Sequence, residues 1–159
     1  MIIAATGHRT SKLTGYKANV EDSLYKVALD YLRREHPERV ISGMALGWDT
    51  AVARAALYLK LPLTAAVPCD GQEALWSDKD KSRYYGLIAL ADNIITVNPG
   101  PYAAWKMHAR NNWMVNNADK VVALWSGDDF GGTFKTIKYA VSKGKPVDNL
   151  WNEWAKLQK

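Results

Sequence analysis

Short apolar runs alternate with amphipathic stretches along almost the whole chain. Ile2, Ile3, Ala4 and Ala5 form an apolar run that stops at Gly7, the pattern of a buried strand. Residues 17–34 then place Val20, Leu24, Val27 and Tyr31 at spacings of 4, 3 and 4, one face of a helix that His36-Pro37 ends. Residues 39–42 predict a second strand closed by Gly43. Residues 48–59 predict a helix with Val52, Ala55, Ala56 and Leu59 on one face, and residues 61–67 a third strand ending at Pro68. The alternation continues with helix 82–91, strand 93–97, helix 105–117 and strand 120–125. Helix 134–143 follows, with Ile137, Ala140 and Val141 inward and Gly144 and Pro146 as stop signals. Residues 145–150 predict a last short strand, with a small Trp-bearing helix beyond it.

Repeated strand–helix alternation with nearly all-apolar strands implies a parallel sheet covered by helices on both faces. The predicted fold class is therefore α/β and Rossmann-like, as a single domain over residues 1–159. Ligands of such sheets bind outside the carboxyl ends of the strands, near the switch in strand order. Every loop singled out below falls at that edge.

Composition narrows the classes. Apolar residues make up 48% and charged residues 23%, which excludes a disordered or fibrous chain. Lys and Arg number 21 against 16 Asp and Glu, a net charge of +5 that suggests an anionic partner. Most of the surplus is C-terminal: residues 130–159 hold 6 basic side chains, Lys135, Lys138 and Lys143 among them, against Asp148 and Glu153. Lysines at that helical spacing read as a solvated face, which weakens the inference to nucleic acid. Cys69 is the only cysteine, so an intramolecular disulfide and a cysteine-based zinc site are both excluded. His8, His36 and His108 have no metal-ligand spacing, so no metal or cofactor is expected. The apolar N-terminal stretch is shorter than a secretory signal and no run has the length of a membrane span, so a cytoplasmic protein without membrane contact is expected. Seven tryptophans are many for this length, and some of them are expected to line a site or a homo-oligomer interface.

Five segments could carry chemistry. Thr6-Gly7-His8-Arg9 leaves the first strand; glycine lets the backbone approach a ligand and the Arg9 guanidinium can hold a phosphate or carboxylate, although a plain strand-end turn has the same composition. Ser42, Gly43, Met44, Ala45, Leu46, Gly47, Trp48 and Asp49 have the strand–turn–helix order of a nucleotide loop, but match neither G-x-G-x-x-G nor a Walker motif. Asp49 suits the positive end of the helix that follows, which would explain it without a ligand. Gly131 and Gly132 ahead of Thr133, read as an N-cap, leave free N–H groups at a helix start, the usual anion site. Met107, Arg110, Asn111 and Met114 share one helical face, which draws Arg110 inward toward either a core carboxylate such as Asp49 or a ligand. Asp70, Glu73 and Trp76 could bind a ribose and stack a base, although an acidic helix start explains the carboxylates equally well.

Taken together, these motifs resemble the YpsA-like branch of the SLOG (Smf/DprA–LOG) superfamily, from Thr6-Gly7-His8-Arg9 to Gly144-Lys145-Pro146. The resemblance implies a Rossmann-type domain that binds a nucleotide or nucleotide-derived small molecule at the strand ends. With the segments above, the candidate ligand set is Gly7, His8, Arg9, Ser42, Gly43, Met44, Ala45, Gly47, Asp49, Glu73, Trp76, Arg110, Gly131, Gly132 and Thr133, with Trp76 or Trp48 against the base. Arg110 and the glycine turn are also similar to the signature segments of LOG enzymes, which hydrolyse the N-glycosidic bond of nucleoside monophosphates. Those enzymes carry a glutamate just after the turn, where this chain has Phe134, Lys135 and Thr136. N-glycosidase activity is accordingly the second reading, with Asp49, Asp70 or Glu73 as the replacement carboxylate. DprA-like binding of single-stranded nucleic acid is the third.

Overall fold

The computed structural model describes residues 1–13 and 19–158. Six strands form one sheet: β1 (Ile2–Gly7), β2 (Arg39–Ser42), β3 (Leu63–Val67), β4 (Asn93–Thr96), β5 (Lys120–Leu124) and β6 (Val147–Asn149). The helices are α1 (Val20–Glu35), α2 (Trp48–Tyr58), α3 (Asp78–Leu90), α4 (Ala104–Asn116), α5 (Gly131–Ser142) and α6 (Trp151–Lys156), with one 3-10 turn at Thr10–Leu13. Lys17 and Ala18, at the predicted start of the first helix, lie outside the described residues.

The strand order is β4-β3-β2-β1-β5-β6 and every pairing is parallel. The chain builds outward from β1 to β4, then crosses back to β5 on the other side of β1. Ala4 of β1 therefore sits between Ile41 of β2 and Val121 of β5. The switch in strand order falls at β1 and β5, the place where parallel α/β sheets open a crevice.

Two apolar layers hold the sheet. On one face Ile3, Val40, Leu63 and Val122 pack with Leu24, Tyr31 and Trp48 of α1 and α2, and Trp154 of α6 closes that layer. On the other, Ala4, Ile41 and Ala66 pack against Met114, and Val121 against Val115 and Ala140. Small strand residues let the helices lie close, while Trp48, fully buried, fills the space beside β1 and donates its indole N–H to the Val122 carbonyl at 3.3 Å.

Several boundaries differ from the sequence expectation. Helix α3 begins at Asp78, four residues ahead of the predicted start, because the Ser77 hydroxyl accepts the Asp80 N–H and caps it. Helix α5 begins at Gly131, whose φ of 91° suits glycine, so Thr133 lies inside the first turn and does not cap it. Val141 is 65% exposed, not inward. Thr136 takes its place in the buried seam, since its hydroxyl donates to the Gly132 carbonyl at 2.8 Å and needs no partner in the core.

Removing the central indole leaves a large void. Trp48→Ala is expected to lower the unfolding free energy by about 3–5 kcal/mol. Urea denaturation followed by circular dichroism measures it, and a loss below about 1 kcal/mol would contradict a central packing role.

Candidate functional site

At the carboxyl ends of the strands, around β1 and the start of α5, the surface opens into a cavity of about 660 Å³. This is within the range of small-molecule sites. Most of its lining comes from four segments: the exit of β1, residues 71–76 after β3, helix α4, and the entry to α5.

The exit of β1 contributes Gly7, His8 and Arg9 to the wall. A Cβ on Gly7 would lie 2.5 Å from Trp48 Cδ1, so glycine is what lets β1 and α2 meet there. His8 is buried and its Nε2 accepts the Ser126 N–H at 3.0 Å, with Ser126 Oγ also at 3.0 Å. An imidazole nitrogen that accepts from a backbone N–H is unprotonated, so the ring is neutral with its proton on Nδ1. Burial and the nearby Lys12 lower the His8 pKa in the same sense, against a smaller opposing pull from Asp128. His8 thereby ties the end of β1 to the loop after β5.

The segment from Ser42 to Asp49 works mainly behind the wall. The Ser42 hydroxyl donates to the Asp49 carbonyl at 2.8 Å and accepts the Met44 N–H at 3.1 Å. Met44 is 1% exposed with φ 60°, and a Cβ on Gly47 would lie 2.6 Å from the His8 carbonyl oxygen. Gly43 accepts Arg110 Nη1 at 2.6 Å and Gln72 Nε2 at 3.1 Å on its carbonyl, and a side chain there would strike Arg110 and Asp49. Ser42, Gly43, Met44 and Gly47 are thus outside the cavity lining, and only Ala45 and Asp49 of this segment reach it. Trp48 is likewise in the core, too deep to meet a base.

Arg110 lines the cavity while 3% exposed. Its guanidinium donates to the carbonyls of Gly43 and Ala66, the latter at 3.1 Å, and through Nε to Asn111 Oδ1 at 2.9 Å. Asp49 lies close enough to stabilise its charge. Burial pushes the Asp49 carboxyl up to about 6, with Arg110, the Ala45 N–H and Arg9 pulling the other way. Among the described residues Asp49 is the one carboxylate in the lining, with Arg110 and Arg9 near it, while Lys12 is paired with Asp128 at 3.4 Å.

Across the cavity, Gly131, Gly132 and Thr133 form the first turn of α5, which has no side-chain cap. Its early N–H groups give that wall the positive end of the helix. Phe130 stands beside them, with the Lys12 ammonium 4.7 Å from its ring centre. The 71–76 segment adds Trp76, edge-on to Tyr84 at 5.3 Å, and Leu75, which is 98% exposed. Glu73 is outside the lining and accepts the Tyr85 hydroxyl at 2.9 Å; Asp70 accepts the Gly100 N–H at 3.0 Å and holds a neighbouring loop. Three carboxylates within reach in sequence therefore separate, with only Asp49 at the cavity.

Sequence reasoning did not select Ser11, Lys12, Gln72, Tyr102, Met107, His108, Asn111 or Phe130, all of which line the cavity. Met107 and Asn111 carried a signal, since they share the helical face of Arg110. Tyr102 and Phe130 had none, because loop residues distant in sequence meet only through the sheet order. No group of three or more potential metal ligands occurs among the described residues. Nor is any described helix long and apolar enough to cross a membrane.

A family model named YpsA, described as the YspA SLOG family, matches residues 3–149. An uncharacterized SPbeta prophage-derived protein, YoqJ of Bacillus subtilis (strain 168), is 29% identical over 137 residues, covering 76% of this chain and 80% of that protein. Among solved structures, DNA processing protein A (DprA) from Streptococcus pneumoniae superposes with a TM-score of 0.68 at 22% identity over 91% of this chain, which spans only 48% of that one. The molybdenum cofactor binding protein from Rippkaea orientalis gives a TM-score of 0.59 at 20% identity, over 99% of this chain and 83% of that one.

The raised Asp49 carboxyl makes stability fall with pH in a defined window. A group whose folded pKa lies above its unfolded value of 3.8 contributes fully at low pH and loses that contribution as pH rises through about 6. Between about pH 4 and pH 7 wild type should therefore lose about 2 kcal/mol relative to Asp49→Asn. Denaturant unfolding of both proteins across that range tests it; parallel profiles would contradict a buried, uphill ionisation.

Proposed function

The chain belongs to the YpsA family of SLOG proteins, and from that premise we propose that it binds a nucleotide or nucleotide-derived small molecule in the cavity at the switch between β1 and β5, in a sensing or signalling role. One observation carries the reading: a nearly buried arginine and an uncapped helix start open onto the same cavity. Neither is needed there for a purely apolar ligand, and together they suit a phosphate. Exposed Arg9 adds positive charge at the rim, beside a Lys12 that is paired with Asp128. Trp76, Phe130 and Tyr102 offer ring faces for a base, and Asp49 offers an acceptor for hydroxyl or amino protons. No cofactor is required by this reading. The reduced, buried Cys69 suits the cytoplasm as the place where the protein works.

An N-glycosidase is the second reading, favoured by Asp49 alone. A carboxylate beside an arginine in a phosphate-type cavity could support an oxocarbenium-like centre, although its place differs from the glutamate of LOG enzymes. Binding of single-stranded nucleic acid, although DprA is a structural neighbour, fits a concave cavity of this size less well than a compact ligand does. The basic surplus that would track a strand lies on the outer face of α5, where Lys135, Lys138 and Lys143 are exposed.

A thermal-shift series with mono-, di- and cyclic nucleotides and ADP-ribose-type compounds tests the main reading. A ligand at 100 times its Kd adds about 2.7 kcal/mol, which for this size raises Tm by about 5–10 °C. Arg9→Ala, exposed and outside the core, should weaken the best ligand about 10- to 100-fold by calorimetry without lowering the ligand-free Tm. No shift with any compound, in protein stripped of carried-over ligand, would overturn the proposal. For the second reading, nucleoside monophosphates are incubated with concentrated protein and free base is sought by chromatography; no release would end it for those substrates.

A further inference from the structure

The loop between β4 and α4 reaches the cavity through one side chain, Tyr102. Just before that ring its backbone is gripped at three successive residues. The Lys106 ammonium donates to the carbonyls of Pro99 at 3.0 Å and Pro101 at 2.8 Å. Between them Gly100 donates its N–H to Asp70 Oδ2 at 3.0 Å, and its carbonyl accepts the Asp70 N–H at 3.0 Å. Gly100 has φ 100°, which suits glycine, and a Cβ there would lie 3.4 Å from Lys106 Nζ. The turn is therefore wrapped closely around the ammonium.

Nothing in the helix itself asks for a lysine at position 106. It stands in the first turn of α4, where a cation opposes the helix dipole, and that turn holds no acidic residue. Lys106 is 8% exposed and forms no ion pair among the described residues. A buried ammonium without a carboxylate is costly. The two proline carbonyls and the Trp105 ring, 5.7 Å away, offset that cost. The same helix carries Arg110 and Asn111 into the cavity. Lys106 thus ties the loop that bears Tyr102 to the element that bears the buried arginine.

Tyr102 has only its backbone to place it. The residue is 66% exposed, and its ring and hydroxyl make no hydrogen bond or ring contact among the described residues. Trp76 and Phe130, also in the lining, each have a partner: Tyr84 edge-on at 5.3 Å and the Lys12 ammonium at 4.7 Å. We propose, on the nucleotide reading of the cavity, that Lys106 is a positioning residue. By clamping Pro99 and Pro101 it holds the Tyr102 ring ready to stack on a nucleobase, and so makes the site prefer base-bearing phosphates over a sugar phosphate alone. A ring fixed before the ligand arrives keeps the full gain of stacking, because no loop has to be ordered on binding.

Calorimetry on the full chain, with AMP, GMP, CMP and UMP against ribose 5-phosphate, tests this role. The readout is the ratio of the Kd for ribose 5-phosphate to that for the tightest of the four nucleotides. Tyr102→Ala should cut the ratio about 5- to 100-fold, the loss of one stacked base. Lys106→Met should cut it about 5-fold or more, and should add no further loss in the Tyr102→Ala background. In ligand-free protein Lys106→Met should also speed hydrogen exchange at the Gly100 amide. A lysine that merely supports α4 would weaken all five compounds alike through Arg110 and leave the ratio at its wild-type value. That result, or unchanged exchange at Gly100, would overturn the positioning role. Should Lys106→Met fail to fold, Asp70→Ala, at an exposed residue on the other side of Gly100, frees the same loop, and an unchanged ratio there is equally decisive. Nucleotide binding with the ratio intact in Tyr102→Ala would overturn the stacking and leave the nucleotide reading standing. Binding of none of the five compounds to wild type would instead count against that reading, and the stacking would fall with it.

Discussion

A guanidinium almost sealed from water must be answered inside the protein, and the ground beneath the cavity is arranged around Arg110. Its partners are the carbonyls of Gly43 and Ala66 and the amide oxygen of Asn111, with Asp49 balancing charge from nearby. An unpaired buried charge would cost many kcal/mol, so these groups are not free to move independently. Gly43 has to lack a side chain for its carbonyl to approach, and Ser42 has to brace the turn so that Asp49 stays in place. Arg110 in turn presents a fixed cation at the base of an open site.

The same constraint explains why a glycine-bearing loop that looks like a phosphate cradle is largely scaffold. Gly43 and Gly47 are used up by close approach to Arg110 and to the backbone of His8 and Arg9. The start of α5, whose first turn is uncapped, lines the cavity instead. Two loops with similar glycine content thus do different work, and the difference is what each meets in space. His8 makes them a unit, since its neutral ring accepts from Ser126 and joins the end of β1 to the approach to α5.

Charge location matters more than charge total. The C-terminal lysines that make the chain basic lie on the solvent side of α5, Lys138 near Phe134 and Lys143 near Tyr139. The cavity's own balance is Arg9 and Arg110 against Asp49, with Lys12 paired to Asp128.

From the sequence alone, the alternation of strands and helices, the inward turn of Arg110 and the edge of the sheet that carries the loops were all legible. Apolar periodicity and glycine or proline stops are local signals, and they report local structure. Helix starts were less legible: Ser77 capping α3 and Gly131 turning into α5 depend on hydrogen bonds and φ values that composition does not reveal. Which carboxylate faces the cavity was not legible at all. Asp49, Asp70 and Glu73 differ only in what the strand order places opposite them, an arginine for the first, a backbone amide for the second and a tyrosine for the third. Tyr102 and Phe130 meet at the same cavity because β4 and β5 lie on opposite sides of β1. Contacts of that kind are set by packing between distant segments, and only the tertiary structure decides them.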